Sequence, residues 1–265
     1  MKRLLRAILC LAPALLSLPA FGVEPVKLKW TVDGAEREAL VLVPSSSSKA
    51  EHAPVVFFFH GHGGNMGAAA RNLDLQSHWP EALVVYPQGV PTVSRVDPEG
   101  KKPGWQHEPG DLGDRDLKFF DAMLATLREK YPVDDHRIYS AGFSNGAGFT
   151  YLLWSQRGKY LAAVAPCAGL IRPTVHPDPA RPALIITGQA DPLVKFDEAQ
   201  KTIAEAKKID GCTGEGKPWE MPGTMIFSSD HATPVVTFIH SGAHIVPKGA
   251  NEMIVQFFKR HAMGN

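Results

Sequence analysis

Tyr139-Ser140-Ala141-Gly142-Phe143-Ser144-Asn145-Gly146-Ala147-Gly148 is the stretch that decides how this chain is read. Its centre, Gly142 to Gly146, fits G-x-S-x-G, the sharp strand-to-helix turn that lifts a serine above the edge of a sheet. The glycines answer a steric need: the serine sits in a strained conformation, and Cβ atoms two residues to either side would collide across the turn. A match to five positions in a chain with 24 Gly among 265 residues carries little weight alone. The context supplies the rest. Arg137 to Ala141 reads as a short strand, and Ala147 to Gln156 reads as an apolar helix that begins at the turn.

Working outward, the same grammar repeats. Pro54 to Phe59 and Ala82 to Tyr86 are continuous apolar runs, as expected of strands buried on both faces. Leu161 to Pro166, Pro182 to Thr187 and Val235 to His240 complete the set. Between them lie helical patterns at Met66 to Trp79, Asp114 to Lys130 and Phe196 to Ile209, with Asn251 to His261 closing the chain. In the second of these, Leu117, Phe120, Met123, Leu124 and Leu127 form one face. Val26 to Thr31 and the neighbourhood of Ala39 to Val43 alternate apolar with polar, which predicts antiparallel edge strands. Ser45 to Lys49 is a polar loop. The expected fold class is α/β: a mostly parallel central sheet with helices on both faces and no large lid domain.

In such a sheet a ligand site lies beyond the carboxyl ends of the strands. The strand at 182–187 delivers Gly188-Gln189-Ala190-Asp191-Pro192 there. A carboxylate fixed in that turn can orient a histidine, although an Asx turn before proline would need the same residue. The last strand delivers His240-Ser241-Gly242-Ala243-His244. His244, in the loop before the final helix, has the reach of a general base, whereas His240 reads as a rim histidine and His231 precedes the strand. Ser144, Asp191 and His244 thus stand in Ser…Asp…His order, each after a different strand, as catalytic candidates. The strand at 54–59 ends in His60-Gly61-His62-Gly63-Gly64-Asn65, where glycines let main-chain N–H groups approach an oxyanion. His62, with Gly63 second, and Asn145 are the expected donors. His60-x-His62 could instead hold a metal, but no further ligand cluster accompanies it, and no metal is expected. Pro87 to Leu112 is long and rich in Gly and Pro, as functional loops are. Trp105 and Gln106 are its candidate substrate-binding side chains; a packing anchor is the other reading of Trp105.

The N-terminus reads as an export signal over residues 1–22, leaving a single domain over 23–265. Lys2, Arg3 and Arg6 precede an uncharged apolar run from Ala7 to Phe21, and Ala20-Phe21-Gly22 offers a cleavage site. Cleavage would remove three of the 28 Lys+Arg and none of the 27 Asp+Glu, turning a formal net charge of +1 into −2. Neither value makes an electrostatic case for nucleic acid or an anionic membrane surface. A secreted or periplasmic location follows, with no membrane partner once the signal is cleaved. In an oxidising compartment the two remaining cysteines, Cys167 and Cys212, could pair.

Taken together, His60-Gly61-His62-Gly63-Gly64, Val85-Tyr86-Pro87-Gln88-Gly89, Gly104-Trp105, residues 116–120, Val133 to Tyr139, Gly142 to Ala147, Gly188 to Asp191 and Gly242 to His244 resemble the secreted polyhydroxybutyrate depolymerase-like and feruloyl esterase group of α/β-hydrolases. The resemblance spans roughly residues 53–260. It implies a serine carboxylesterase without metal or organic cofactor, acting on small or oligomeric esters through Ser144, Asp191 and His244. Two departures stand out. The group often carries Gly-Gly-Gly-His followed by Trp-Pro, where this chain has Ser241-Gly242-Ala243-His244-Ile245-Val246-Pro247. Polymer-degrading members often add a Thr- or Ser-rich linker and a surface-binding domain, which this sequence lacks. Soluble or short esters are therefore expected to be favoured over crystalline polyester. Ile171 to Pro182 is too short and proline-rich for a mobile helical lid, so an open site is expected. The competing readings are a peptidase of the same fold and a non-catalytic binding module on the same scaffold.

Overall fold

The computed structural model describes residues 25–44 and 51–264. The proposed export segment and the Ser45 to Lys49 loop lie outside the described residues. The strands are β1 (Val26–Val32), β2 (Ala35–Leu42), β3 (Ala53–Phe59), β4 (Leu83–Pro87), β5 (Val90–Pro91), β6 (Pro103–Gly104), β7 (Val133–Phe143), β8 (Ala163–Cys167), β9 (Ala183–Gly188), β10 (Lys217–Pro218), β11 (Thr224–Phe227) and β12 (Val235–His240). The helices are α1 (Met66–Leu73), α2 (Leu75–His78), α3 (Arg115–Lys130), α4 (Asn145–Arg157), α5 (Phe196–Ile209) and α6 (Ala250–Lys259).

Ten strands form one sheet in the order β1-β2-β4-β3-β7-β8-β9-β12-β11-β10, while β5 and β6 pair separately within the long loop. From β4 to β12 neighbouring strands are parallel; β1 and β2 at one edge, and β11 and β10 at the other, are antiparallel. The β10–β11 hairpin is an addition to the expected elements. β10 is only two residues long, too short to show the alternation that marks a strand in sequence.

The continuous apolar runs are buried on both faces because successive side chains point opposite ways. In β3, Val55, Phe57 and Phe59 join α3, α4 and α5 on one side, while Val56 and Phe58 join α1, α2 and α6 on the other. The single helix expected over Met66 to Trp79 is broken. Asp74 adopts a left-handed conformation (φ 42°, ψ 46°) that ends α1 and turns the chain into α2. Among the described residues no helix is long and apolar enough to cross a membrane.

Cys167 and Cys212, which could have paired, are unbonded. Their places in the fold explain why. Cys167 closes β8 at the carboxyl ends of the strands. Cys212 follows α5, which returns the chain to their amino ends, where Asp210 accepts a hydrogen bond from the Arg181 N–H just before β9. A disulfide cannot span the length of a sheet.

Asp210 has a consequence for stability. Its side chain is fully buried, one oxygen taking the Arg181 N–H at 2.8 Å and the other, Oδ2, having no partner among the described residues. Burial pushes its carboxyl up from 3.8 to about 8, against the opposing pull of the Arg181 N–H. The native state therefore holds a proton that the unfolded chain releases near pH 4. Folding stability must fall as pH climbs from about 4 to about 8. Asp210→Asn is expected to flatten that decline, which denaturant midpoints measured from pH 4 to 9 would register.

Candidate active site

The turn after β7 has the geometry its sequence requires. Ser144 sits at φ 57°, ψ −117°, a conformation that costs about 1–3 kcal/mol and persists only where packing enforces it. A Cβ on Gly142 would come within 2.3 Å of the Gly146 carbonyl oxygen, and one on Gly146 within 2.1 Å of the Phe59 carbonyl oxygen. The first glycine lets the turn close on itself; the second lets α4 start against β3. The Ser144 N–H donates to the Cys167 carbonyl at 2.9 Å, tying the turn to β8.

Three strand ends converge on the serine. Ser144 Oγ lies 2.8 Å from His244 Nε2, and His244 Nδ1 lies 2.7 Å from Asp191 Oδ2. The Asp191 side chain is wholly buried, that of His244 partly so. Asp191 Oδ1 accepts from the Leu193 and Val194 N–H groups at 2.8 and 2.9 Å. The Asx-turn reading of Asp191 is thus compatible with the functional one: one oxygen builds the turn and leaves the other aimed at the imidazole. The loops carrying the two residues are fastened together by Gln189 N–H to His240 O (2.8 Å) and Ala190 N–H to Gly242 O (3.2 Å). Gly188 permits this contact, since a Cβ there would meet the Gly242 oxygen at 2.4 Å. His240 does not reach the serine; its Nδ1 accepts the Gly242 N–H at 3.1 Å and shapes the His244 loop.

The 60–65 loop lies against the turn. A Cβ on Gly61 would be 3.3 Å from Ser144 Cβ. The main-chain N–H groups of His62 and Asn145 have no acceptor among the described residues, whereas the Gly63 N–H is committed to Pro103 O at 2.7 Å. The His60 and His62 side chains take separate partners. His60 is neutral through burial; its Nδ1–H donates to Gly61 O at 2.8 Å and its Nε2 accepts the Gly89 N–H at 3.0 Å. His62 turns instead to Asp97.

Trp105 and Gln106 require a correction, because both are fully buried and neither lines a cleft. Trp105 packs on Phe59 and Phe149 and donates its indole N–H to His60 O at 2.8 Å. Gln106 Oε1 accepts the Asp116 N–H at 3.0 Å, and its amide donates to Asp114 Oδ1 at 2.9 Å. Both pin the long loop, which is the packing reading of Trp105. The reason is spatial: the β5–β6 pairing closes the loop into a hairpin whose tip, Ser94 to Val96, reaches the larger cleft, while the chain leaving β6 at Trp105 and Gln106 turns into the core.

Two clefts meet at His244. The larger, about 830 Å³, contains Ser144 and Asn145 and is walled by His107, Arg172 and the apolar Leu170 and Leu193. The smaller, about 560 Å³, lies between α1 and the His244 loop, lined by Leu73, Phe143, Val246 and Asn72 among others. His107 is held neutral, first by burial and then by Arg172; its Nδ1 lies 3.2 Å from Arg172 Nη2. Arg172 also faces Glu108 at 3.6 Å. Neither His107 nor Arg172 was marked by any pattern in the sequence. Arg172 belongs to an irregular crossing of the cleft, with no motif or period to single it out.

Residues 104–211 match the Dienelactone hydrolase family model. A probable feruloyl esterase C from Aspergillus oryzae is 27% identical over 201 residues, covering 74% of this chain and 71% of that protein. Feruloyl esterase C from Emericella nidulans is 26% identical over 231 residues, covering 85% and 83%. Among solved structures, an acetyl xylan esterase from Aspergillus awamori superposes with a TM-score of 0.67 at 13% identity, covering 88% of this chain and 99% of that one. The parallel sheet, the turn at Ser144 and these relationships lead to one assignment: the chain has the α/β-hydrolase fold, and its similarities support a serine ester hydrolase.

Proposed function

We propose that the protein hydrolyses carboxylic esters through a Ser144–His244–Asp191 triad and an acyl-enzyme. The observation that carries this reading is the unbroken chain of contacts Ser144 Oγ–His244 Nε2 and His244 Nδ1–Asp191 Oδ2, at 2.8 and 2.7 Å, opening into the larger cleft. Ser144 Oγ attacks the ester carbonyl carbon while its proton passes to His244 Nε2. Asp191 holds the imidazole in the tautomer with Nδ1 protonated and stabilises the cation that forms. The carbonyl oxygen becomes an oxyanion facing the His62 and Asn145 N–H groups; one such donor is worth about 3–4 kcal/mol of barrier. When the tetrahedral intermediate collapses, His244 returns its proton to the leaving alkoxide. Water, deprotonated by the same histidine, then cleaves the acyl-serine.

The substrate reading rests on the clefts. The larger one receives the acyl group, because it contains Ser144, and its Leu170 and Leu193 walls suit an aryl or short alkyl chain with a polar end near Arg172. The alcohol departs past His244 into the smaller one. Hydroxycinnamoyl esters fit this division best and agree with the feruloyl esterase relatives; short 3-hydroxyalkanoate oligomers are the runner-up. Export through residues 1–22 is part of the same reading, supported by the charge and hydropathy pattern of that segment.

The test uses protein recovered from an exporting host, with an N-terminus expected at Val23. A fluorophosphonate probe should label Ser144. Methyl ferulate should be turned over with kcat/KM at least about tenfold above that for a 3-hydroxybutyrate trimer, a factor worth about 1.4 kcal/mol in the transition state. Cleavage of proline-containing dipeptide anilides in preference to esters, or a chain the probe leaves unlabelled, would sink the proposal.

A further inference from the structure

His62 carries more than a main-chain donor. Its Nε2 lies 3.1 Å from Asp97 Oδ2, and both side chains are buried, with 8% and 10% of their surface exposed. The same carboxylate oxygen accepts the Lys102 N–H at 2.7 Å. Main-chain hydrogen bonds, first from Lys102, hold Asp97 below the ordinary carboxylate range, so it is an anion across the neutral range. It therefore accepts from the Nε2–H of His62. The other ring nitrogen, Nδ1, has no partner among the described residues and no exposure to solvent, and it faces the Cα of Gly104, where a Cβ would come within 2.7 Å. This is a second histidine–carboxylate pair on the rim of the same cleft, 35 positions apart in sequence and unused by the hydrolytic steps above.

The pair joins two segments that have no strand in common. His62 belongs to the loop after β3 that approaches Ser144; Asp97 belongs to the long loop between β4 and α3. A short glycine-rich segment would otherwise be free to rotate its peptide planes. Two contacts flank the pair: Gly63 N–H to Pro103 O at 2.7 Å, and the Trp105 indole N–H to His60 O at 2.8 Å. Those contacts anchor the residues on either side of His62. The peptide that carries the His62 N–H is held at its Gly61 carbonyl, which accepts from the Gly64 N–H at 2.9 Å and from His60 Nδ1–H at 2.8 Å. The His62 side chain adds an anchor at the other end of that plane, on the residue whose N–H must point at the oxyanion.

We propose that Asp97 is a positioning residue for ester hydrolysis: through His62 Nε2 it fixes the peptide plane that presents the His62 N–H to the oxyanion. This rests on the proposed hydrolytic site. A misplaced donor weakens transition-state binding without touching the substrate's acyl or alcohol parts. The penalty should therefore fall on kcat, and equally for small and large esters.

The experiment measures kcat and KM for p-nitrophenyl acetate and methyl ferulate, well below the melting temperature of each variant. Asp97→Ala and His62→Ala should each lower kcat about 10- to 100-fold on both esters, in line with partial loss of one oxyanion donor, with KM within about threefold. The double variant should be no slower than the worse single one, since either change breaks the same link. His62→Gln can still donate an N–H toward Asp97 and should recover most of the lost kcat. Unchanged kcat in Asp97→Ala, multiplicative losses in the double variant, or His62→Gln as slow as His62→Ala would each overturn the assignment. The last outcome would give the imidazole itself a chemical role. Failure of the parent reading looks different, because the wild-type chain would then neither take the fluorophosphonate label nor turn over either ester.

Discussion

Ser144→Ala is expected to lower kcat for every ester the protein hydrolyses by about 10⁴-fold or more, while the fold is kept. In serine hydrolases of this arrangement, losing the nucleophile leaves only what substrate binding and the oxyanion donors contribute. Here the proposed donors are main-chain groups of His62 and Asn145, which the substitution leaves in place. Asp191→Asn should approach the same loss for a different reason. The Asn oxygen can still accept from Leu193 and Val194, so the turn survives, but an N–H₂ then faces His244 Nδ1 where a carboxylate oxygen was. The imidazole is driven to the tautomer that cannot take the serine proton. Steady-state rates with circular dichroism and thermal melting would separate lost chemistry from lost structure. If Ser144→Ala retained more than about 1% of wild-type kcat, the nucleophile assignment would be wrong.

The second large effect is expected far from the reacting atoms. Asp116, in the first turn of α3, is almost wholly buried and carries three partners. Arg37 of β2 donates to it at 2.8 Å, the Gln106 N–H at 2.7 Å, and Arg115 lies 3.5 Å away. The Arg37 guanidinium is itself buried, stacked 4.3 Å over Phe119, with Nε and Nη1 lacking partners among the described residues. Asp116→Ala would leave that cation uncompensated and free the main chain at Gln106. Breaking a buried ion pair in this way costs about 3–5 kcal/mol. For a domain of this size that corresponds to a fall in melting temperature of about 10 °C. Replacing both partners with apolar residues, Arg37→Met with Asp116→Leu, should restore most of the loss. A single-variant change below about 1 kcal/mol in denaturant unfolding would show that the pair is not what holds the loop.

The resemblance drawn from short motifs proved sound because those motifs encode local geometry. Gly142 and Gly146 are legible since only glycine fits where a Cβ would meet a backbone oxygen at 2.3 or 2.1 Å. Asp191 and His244 are legible since each follows an apolar strand, and the carboxyl ends of parallel strands share one edge. Trp105 and Gln106 were misread for the complementary reason. An aromatic in a long loop looks the same in sequence whether it lines a cleft or fills the space beneath it. Nothing near residue 105 announces that Phe59, Phe149 and Asp116 wait to receive the pair. The cysteines follow the same logic: composition permits a bond between Cys167 and Cys212, but the direction of β8 and α5 carries them to opposite ends of the sheet.

By itself, the sequence determined the features whose physics is local: the strained serine turn, the doubly buried strands, the amphipathic face of α3, and the order in which serine, acid and histidine leave the sheet. The tertiary structure alone decided the features that depend on which distant segments meet. It paired His62 with Asp97 and Arg172 with His107, turned Trp105 inward, and divided the space around His244 into two clefts. The reason is that turn strain and side-chain period are written within a few residues of chain, whereas cleft walls and buried partners are set by loop closure over 30 positions or more, which no local pattern records.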